Sequence, residues 1–158
     1  AGAELEVPDG RCLSNLLSAF SRSKADFQTL LHWVPGQVRA LQGKFSTLDL
    51  ANIFNSCTRL GVHHPALYRE LLVHARERVP QMPPSTLAML VRSMARAKMY
   101  NRFVMRQATK TITSRLQDLS VVDVGALLVG CAEMGYRDER FLRLLATVVR
   151  ARMSEFSS

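Results

Sequence analysis

The chain has 158 residues, of which 47% are hydrophobic, and it carries a formal net charge of +8. This length suits one domain with a sizeable core, and the hydrophobic content excludes a disordered chain. No apolar run approaches the roughly 18 residues that a transmembrane helix needs, so we expect no membrane partner. The excess of positive charge indicates an anionic partner.

A pattern of core residues recurs every 37 residues along the chain. It occupies residues 13–17, 50–54, 87–91 and 124–128, each time in the order apolar, small, any residue, apolar, apolar. A fixed period of roughly 20–50 residues is typical of a solenoid. We predict one helical-repeat domain over residues 8–153, with repeats at about 8–44, 45–81, 82–118 and 119–153. Residues 1–7 would form an N-terminal extension and residues 154–158 a C-terminal tail.

The second repeat shows how each unit is built. Its first half places apolar residues at helical spacing on one face: Leu50, Ile53, Phe54, Cys57 and Leu60. A second helix is predicted from about Pro65 to Val79, and further prolines end it. In the first repeat, Pro35 falls inside the second helix, so we expect a kink or a break there. Four such hairpins must stack to bury their apolar faces, which predicts an all-α solenoid.

Residues at the helix ends and on the helix sides agree with this plan. Serines precede three first helices as expected N-caps: Ser46, Ser85 and Ser120. Gly61 and Gly135 follow first helices where a left-handed residue is wanted, and Lys98 occupies that position in the third repeat. Small residues that would allow neighbouring first helices to approach closely share one slot: Ala19, Ser56, Ser93 and Gly130.

Positive charge is concentrated in the third repeat, where seven cationic residues stand against one carboxylate between residues 82 and 118. Arginines also recur in register, in series that would form rows along the stack: Arg22, Arg59 and Arg96; Arg69, Arg106 and Arg143; Arg78, Arg115 and Arg152. A guanidinium group offers a planar fork to phosphate and stacks on bases. Tyr100 is the best candidate for base stacking. We therefore predict these RNA-binding residues: Arg59, Arg92, Arg96, Lys98, Tyr100, Arg102, Arg106, Lys110 and Arg115.

Two other interpretations of the arginines stay open. They could form an ordinary solvated face, or a basic surface that binds an acidic protein. In the second case the protein would be a scaffold or a structural subunit of a ribonucleoprotein complex. Its partner contacts would then depend on apolar surface residues such as Val73 and Val129.

No enzyme signature is present. His63 and His64 share an inter-helix turn but have no third ligand nearby in sequence. Asp49 and Asp123 occupy equivalent positions near helix starts, where a carboxylate complements the helix dipole. The three cysteines lack metal-ligand spacing, so we expect free thiols in a reducing compartment. We predict no catalytic residue, no metal, no cofactor and no small-molecule substrate.

The 37-residue hairpin resembles the heptatricopeptide and octotricopeptide repeats. The similarity lies in residues 46–51 and 59–61 of the second repeat and in residues 120–125 and 133–135 of the fourth. Related repeats accompany the RAP domains and FAST-kinase-like proteins of organelles. The resemblance implies binding to single-stranded RNA in mitochondria or plastids, together with other proteins of a ribonucleoprotein complex. The arginine-rich composition and the free cysteines suit the mitochondrial matrix, which is the location that we expect. RNA processing, editing, stability or ribosome assembly are the roles that it implies.

Overall fold

The structure, a computed structural model, describes residues 6–23, 28–41 and 43–153. Within these residues it contains helices and turns and no strand, which confirms the predicted all-α class. Eight α-helices follow one another: α1 (Gly10–Arg22), α2 (Gln28–Ala40), α3 (Thr47–Arg59), α4 (Pro65–Arg76), α5 (Pro84–Arg96), α6 (Arg102–Thr113), α7 (Val121–Met134) and α8 (Glu139–Ala151). Short 3₁₀ turns follow α4 and α6, at Val79–Gln81 and Leu116–Asp118. No helix of the described ranges combines the length and apolar character that crossing a membrane requires.

The helices of the structure start at the 37-residue period that the sequence shows. The first helices of the four repeats begin at residues 10, 47, 84 and 121, and the second helices at residues 28, 65, 102 and 139. Every start therefore lies 37 residues after the one before it in its layer. Residues 1–5 of the predicted N-terminal extension and the whole predicted tail, residues 154–158, lie outside the described residues.

The first helices form a tightly packed layer. Each of α1, α3 and α5 contacts the next first helix extensively, whereas α4, α6 and α8 meet one another more sparingly. In a curved stack the closely spaced layer lies on the inner side, so the first helices line the concave face. Gly130 shows how close the approach is, because a Cβ atom there would lie 3.0 Å from Cγ1 of Val91. The predicted role of small residues in helix packing is thus confirmed at this position.

The core is continuous through the stack. In the second repeat, the predicted inward residues are fully or almost fully buried, apart from the half-buried Leu60. Those on the first helix are Leu50, Ile53, Phe54 and Cys57, and those on the second helix and the turn after it are Leu67, Leu71, Ala75 and Val79. Each large apolar side chain of this kind stabilises the fold by about 1.5–3 kcal/mol. Packing between repeats therefore holds the hairpins together.

Two of the three predicted N-caps are confirmed. The hydroxyl groups of Ser46 and Ser120 each accept a hydrogen bond from the backbone N–H of the aspartate three residues on. The carboxylate of that aspartate accepts one from the serine backbone N–H, which makes a capping box. Ser85 was a wrong prediction, since the N-cap of α5 is Pro83 and the helix begins at Pro84. Pro84 has no N–H that needs a partner, and its ring holds φ at the helical value, so α5 starts without a serine cap.

Of the kink or break expected at Pro35, the break does not occur, and the kink stays a prediction. Helix α2 runs from Gln28 to Ala40 through the proline. Pro35 and its neighbours Val34 and Val38 are buried, so their packing offsets the hydrogen bond that the proline cannot donate.

The C-terminal end of the stack exposes positions that the earlier repeats bury. Ala88 and Val91 on α5 are 0% and 1% exposed because α7 covers them. Gly125 and Leu128 hold the same slots on α7 and are exposed, Leu128 to 36%. The fourth repeat therefore ends on an apolar face with the geometry of a repeat–repeat interface.

Candidate nucleic-acid interface

The predicted RNA-binding residues lie on three surfaces of the third repeat and its neighbours. A first group, the first-helix cluster, lies on the concave face: Arg59, Arg92 and Arg96. A second group belongs to the turn between α5 and α6: Lys98 and Tyr100. A third group lines a groove between α6 and α8 that we call the outer groove: Arg102, Arg106 and Lys110. Arg115 lies apart from all three.

The first-helix cluster joins three repeats. Arg92 on α5 donates from Nη1 to Oε2 of Glu133 on α7 at 2.7 Å. Arg96 donates from Nη1 to Oδ1 of Asn55 on α3 at 3.1 Å. Burial lowers the pKa of the Arg96 guanidinium, and the charges of Arg92 and Arg59 lower it further, while Glu133 opposes them. The concave face therefore carries like charges close together, which a bound anion would relieve.

The outer groove is a wide concavity lined by cationic side chains. Its volume is about 910 Å³. One wall is the predicted stripe on α6, and the other contains Arg140 on α8. The carboxylate of Asp138 also lines it, but this group caps α8 by accepting from the Phe141 N–H at 3.0 Å. Four cationic side chains thus face a groove with a single carboxylate that is already engaged.

One tyrosine lines the outer groove, and a second lies beside the first. Tyr136 lines it, and its hydroxyl is 3.4 Å from the hydroxyl of Thr109. The ring of Tyr100 is 52% exposed, and its centroid lies 6.5 Å from that of Tyr136. Aromatic rings beside a cationic groove are the usual platform for unstacked bases. Sequence reasoning found Tyr100 but missed Arg140 and Tyr136, which belong to the next repeat.

A smaller cavity lies where two inter-helix turns meet, and we call it the turn cavity. The α3–α4 turn and the α5–α6 turn enclose a space of about 220 Å³. Its lining includes Arg96, Lys98 and His63. The neighbouring His64 caps α4, since its Nδ1 atom accepts from the Leu67 N–H at 3.0 Å. Both histidines of this turn line the cavity, and His64 is the one that also caps a helix.

Arg115 follows the C-terminal end of α6 and is not among the residues that line the outer groove, which extends along α6 as far as Thr113. Its Nε atom is 2.8 Å from Oδ2 of Asp118 in an exposed ion pair. Helix α6 has 12 residues, which at 1.5 Å each separate its two ends by about 18 Å. The structure does not bring Arg115 to the outer groove.

The third arginine series has a structural role that the sequence did not reveal. Arg78 donates from both terminal nitrogens to the carbonyl oxygens of Phe45 and Gly43, in the loop that precedes its repeat's first helix. Arg152 binds the equivalent loop through the carbonyls of Leu119 and Gln117. Each of these guanidinium groups joins the end of its repeat to the loop before the first helix of the same repeat. The two groups therefore do not form a row that is free to bind phosphate. The signal that could have found them is their constant offset from those loops.

Several groups that could carry other chemistry are engaged in helix caps or buried. Asp49 and Asp123 serve in the capping boxes, as predicted. Burial raises the pKa of the Cys57 thiol to about 12 and that of Cys131 to about 11. In the part of the chain that the structure describes, no three His, Cys, Asp or Glu residues are grouped to hold a metal ion.

These observations define an α-helical repeat protein with cationic surfaces on both of its helix layers. The model of the family described as RNA-editing substrate-binding complex 6 protein matches residues 6–158, and the chain belongs to that family. Its role therefore lies in mitochondrial RNA editing, with the RNA-editing substrate-binding complex. No curated protein matches the sequence. The assignment to the heptatricopeptide or octotricopeptide type stays a prediction.

Proposed function

We propose that the protein is a non-enzymatic subunit that binds single-stranded RNA in the mitochondrial matrix. The outer groove is the observation that carries this proposal. Arg102, Arg106 and Lys110 repeat at one-turn intervals along one wall, and Arg140 stands on the other. This arrangement lets a strand lie along α6 with cations on both sides.

The chemistry of the groove favours single-stranded over double-stranded RNA. Phosphate contacts from arginine and lysine would supply most of the affinity, so binding would weaken as salt rises. Sequence-tolerant proteins add aromatic stacking to such contacts, and stacking needs bases that are free of a duplex. Tyr136 offers a ring in the groove lining and Tyr100 an exposed ring beside it, whereas a paired helix would keep its bases out of their reach.

The test is a fluorescence-anisotropy titration with single-stranded RNA, double-stranded RNA and single-stranded DNA, at low and near-physiological salt. The variant Arg102→Glu/Arg106→Glu should lose at least about tenfold in affinity for single-stranded RNA. A charge-assisted hydrogen bond is worth about 1.5–3 kcal/mol, and every 1.4 kcal/mol is tenfold.

A matched control is available one repeat earlier. Arg69 is exposed in the same helical slot as Arg106 but does not line the groove. Arg69→Glu should leave affinity within about threefold, because it reverses a charge away from the site. Equal losses in Arg69→Glu and in the single variant Arg106→Glu, which changes the net charge by the same amount, would overturn the proposal. Binding that ignores the type of nucleic acid would also overturn it.

A scaffold function is the second candidate, and the apolar end of the stack favours it. Leu128 and Val129 on α7 are 36% and 44% exposed, and Val73 on α4 is 63% exposed. A helical partner could cover the α7 surface as α7 covers α5. Leu128→Glu should then weaken incorporation into the complex while leaving the RNA affinity of the isolated protein unchanged. Normal incorporation of this variant would remove support for the scaffold.

A further inference from the structure

The turn cavity combines size and charge suited to one small anion. Its volume of about 220 Å³ is several times the roughly 30 Å³ that a water molecule occupies in the liquid, so a phosphate group fits with some water. Arg96, Lys98 and His63 contribute to the lining, together with the hydroxyl-bearing Thr58. No carboxylate is found in that lining.

The donors around the cavity have capacity to spare. Arg96 uses Nη1 for Asn55, and a guanidinium has five N–H donors. Among the described residues, neither the Lys98 ammonium nor the His63 ring has a hydrogen bond or an ion pair. The cavity also lies at the start of α4, where the helix dipole is positive. The available N–H donors and the positive charge therefore both favour an anion as the ligand of this cavity.

The backbone of Lys98 is the most informative feature. Its φ is +54°, in the left-handed region, at a position where the neighbouring repeats have Gly61 at +71° and Gly135 at +65°. A side chain at such a position is disfavoured, and residues held in this way often serve a function. Lys98, which stands where the neighbouring repeats have glycine, brings an ammonium group to the cavity.

We propose that the turn cavity binds one phosphate group of an RNA strand, through the Lys98 ammonium, the Arg96 guanidinium and an N–H of His63. This inference rests on the proposed RNA binding. Because the α5–α6 turn joins the two helix layers, a phosphate held there lies between the first-helix cluster and the outer groove. A bound strand would thus pass around the turn edge of the third repeat.

The decisive variant is Lys98→Gly, because function and stability should change in opposite directions. Glycine adopts the left-handed backbone conformation without the steric strain that a side chain causes, so Tm should rise by about 2–4 °C. Loss of the ammonium should lower RNA affinity about three- to tenfold and reduce the slope of log affinity against log salt by about one. Lys98→Arg should keep most of the affinity without the gain in Tm. Lys44→Ala, in an exposed loop at the opposite edge, should change neither quantity appreciably.

The probes are a 12-nucleotide single-stranded RNA with a 5′-hydroxyl and the same RNA with a 5′-phosphate. A loss in Lys98→Gly that is confined to the 5′-phosphate RNA supports the site with a terminal phosphate as its ligand. Equal losses on both probes support it with an internal phosphodiester. Wild-type affinity of Lys98→Gly for both probes, while Arg102→Glu/Arg106→Glu loses binding, overturns the turn-cavity site and leaves the proposed function standing. Failure of the wild-type protein to bind either probe overturns both.

Discussion

The third and fourth repeats share one backbone plan and differ in their surfaces. Helices α5 and α7 start at equivalent positions and bury equivalent residues, such as Leu90 and Leu127. At the surface slots of the first helix, Arg92 of the third repeat is replaced by Val129 in the fourth, and Arg96 by Glu133. The core slots therefore set the fold, while the slots on the concave face and the groove walls set the charge. Chemistry can change from one repeat to the next without a change in architecture.

The largest effect is expected when an aspartate is placed at the same slot of the first helix in the third and in the fourth repeat. Val91→Asp would place a carboxylate in a site that is 1% exposed, and we expect a loss of several kcal/mol and unfolding of the array. Leu128→Asp occupies the same slot in α7, where the residue is 36% exposed, and should remain folded. Far-UV circular dichroism and thermal melts compare the two. Similar melts for both variants would show that the repeats are not in the register described.

A second comparison lies within α7 itself. Gly130→Leu must displace Val91 of α5, so we expect a loss of about 1–3 kcal/mol from overpacking. Gly125→Leu meets no atom within 4 Å and should be neutral or slightly stabilising, since leucine favours a helix over glycine by up to about 1 kcal/mol. Urea unfolding of the two variants measures the difference. Equal stabilities would mean that α7 does not approach α5 closely at Gly130.

The smallest expected difference in the free energy of unfolding is that between two arginines that share one slot, Arg78 and Arg115. Arg78→Ala removes two hydrogen bonds to carbonyl oxygens and should cost about 1–3 kcal/mol. Arg115→Ala, in the same slot of the third repeat, removes only an exposed ion pair and should cost less than about 1 kcal/mol. Chemical denaturation of both single variants checks this order. A larger cost at Arg115 would contradict the structural role assigned to Arg78.

Much of the fold could be predicted because the same pattern occurs in four repeats, so that each helix assignment is supported by several segments of the sequence. The helix starts follow the 37-residue period of the sequence, and two of the three serines predicted as N-caps cap their helices. Ser85 failed because its repeat starts on two prolines, which cap by a different mechanism. The break at Pro35 failed because propensity alone ignores the packing of a buried helix.

The candidate site could be predicted only in part. The stripe of Arg102, Arg106 and Lys110 lies on one helix and follows from helical spacing. The facing Arg140 and the Tyr136 ring depend on how α8 packs beside α6, which no local pattern encodes. The loop contacts of Arg78 likewise depend on a contact across more than 30 residues.

The central claim is that RNA binding belongs to the third repeat and not to net charge in general. It is tested most directly by two quadruple variants that change net charge equally. One replaces Arg92, Arg96, Arg102 and Arg106 with glutamate, and the other replaces the exposed Arg11, Arg69, Arg137 and Arg150. With both proteins folded by circular dichroism, we expect the first to lose single-stranded RNA binding at near-physiological salt and the second to retain most of it. Equal losses would show that the positive charge is generic, and retained binding in the first variant would place the RNA site elsewhere.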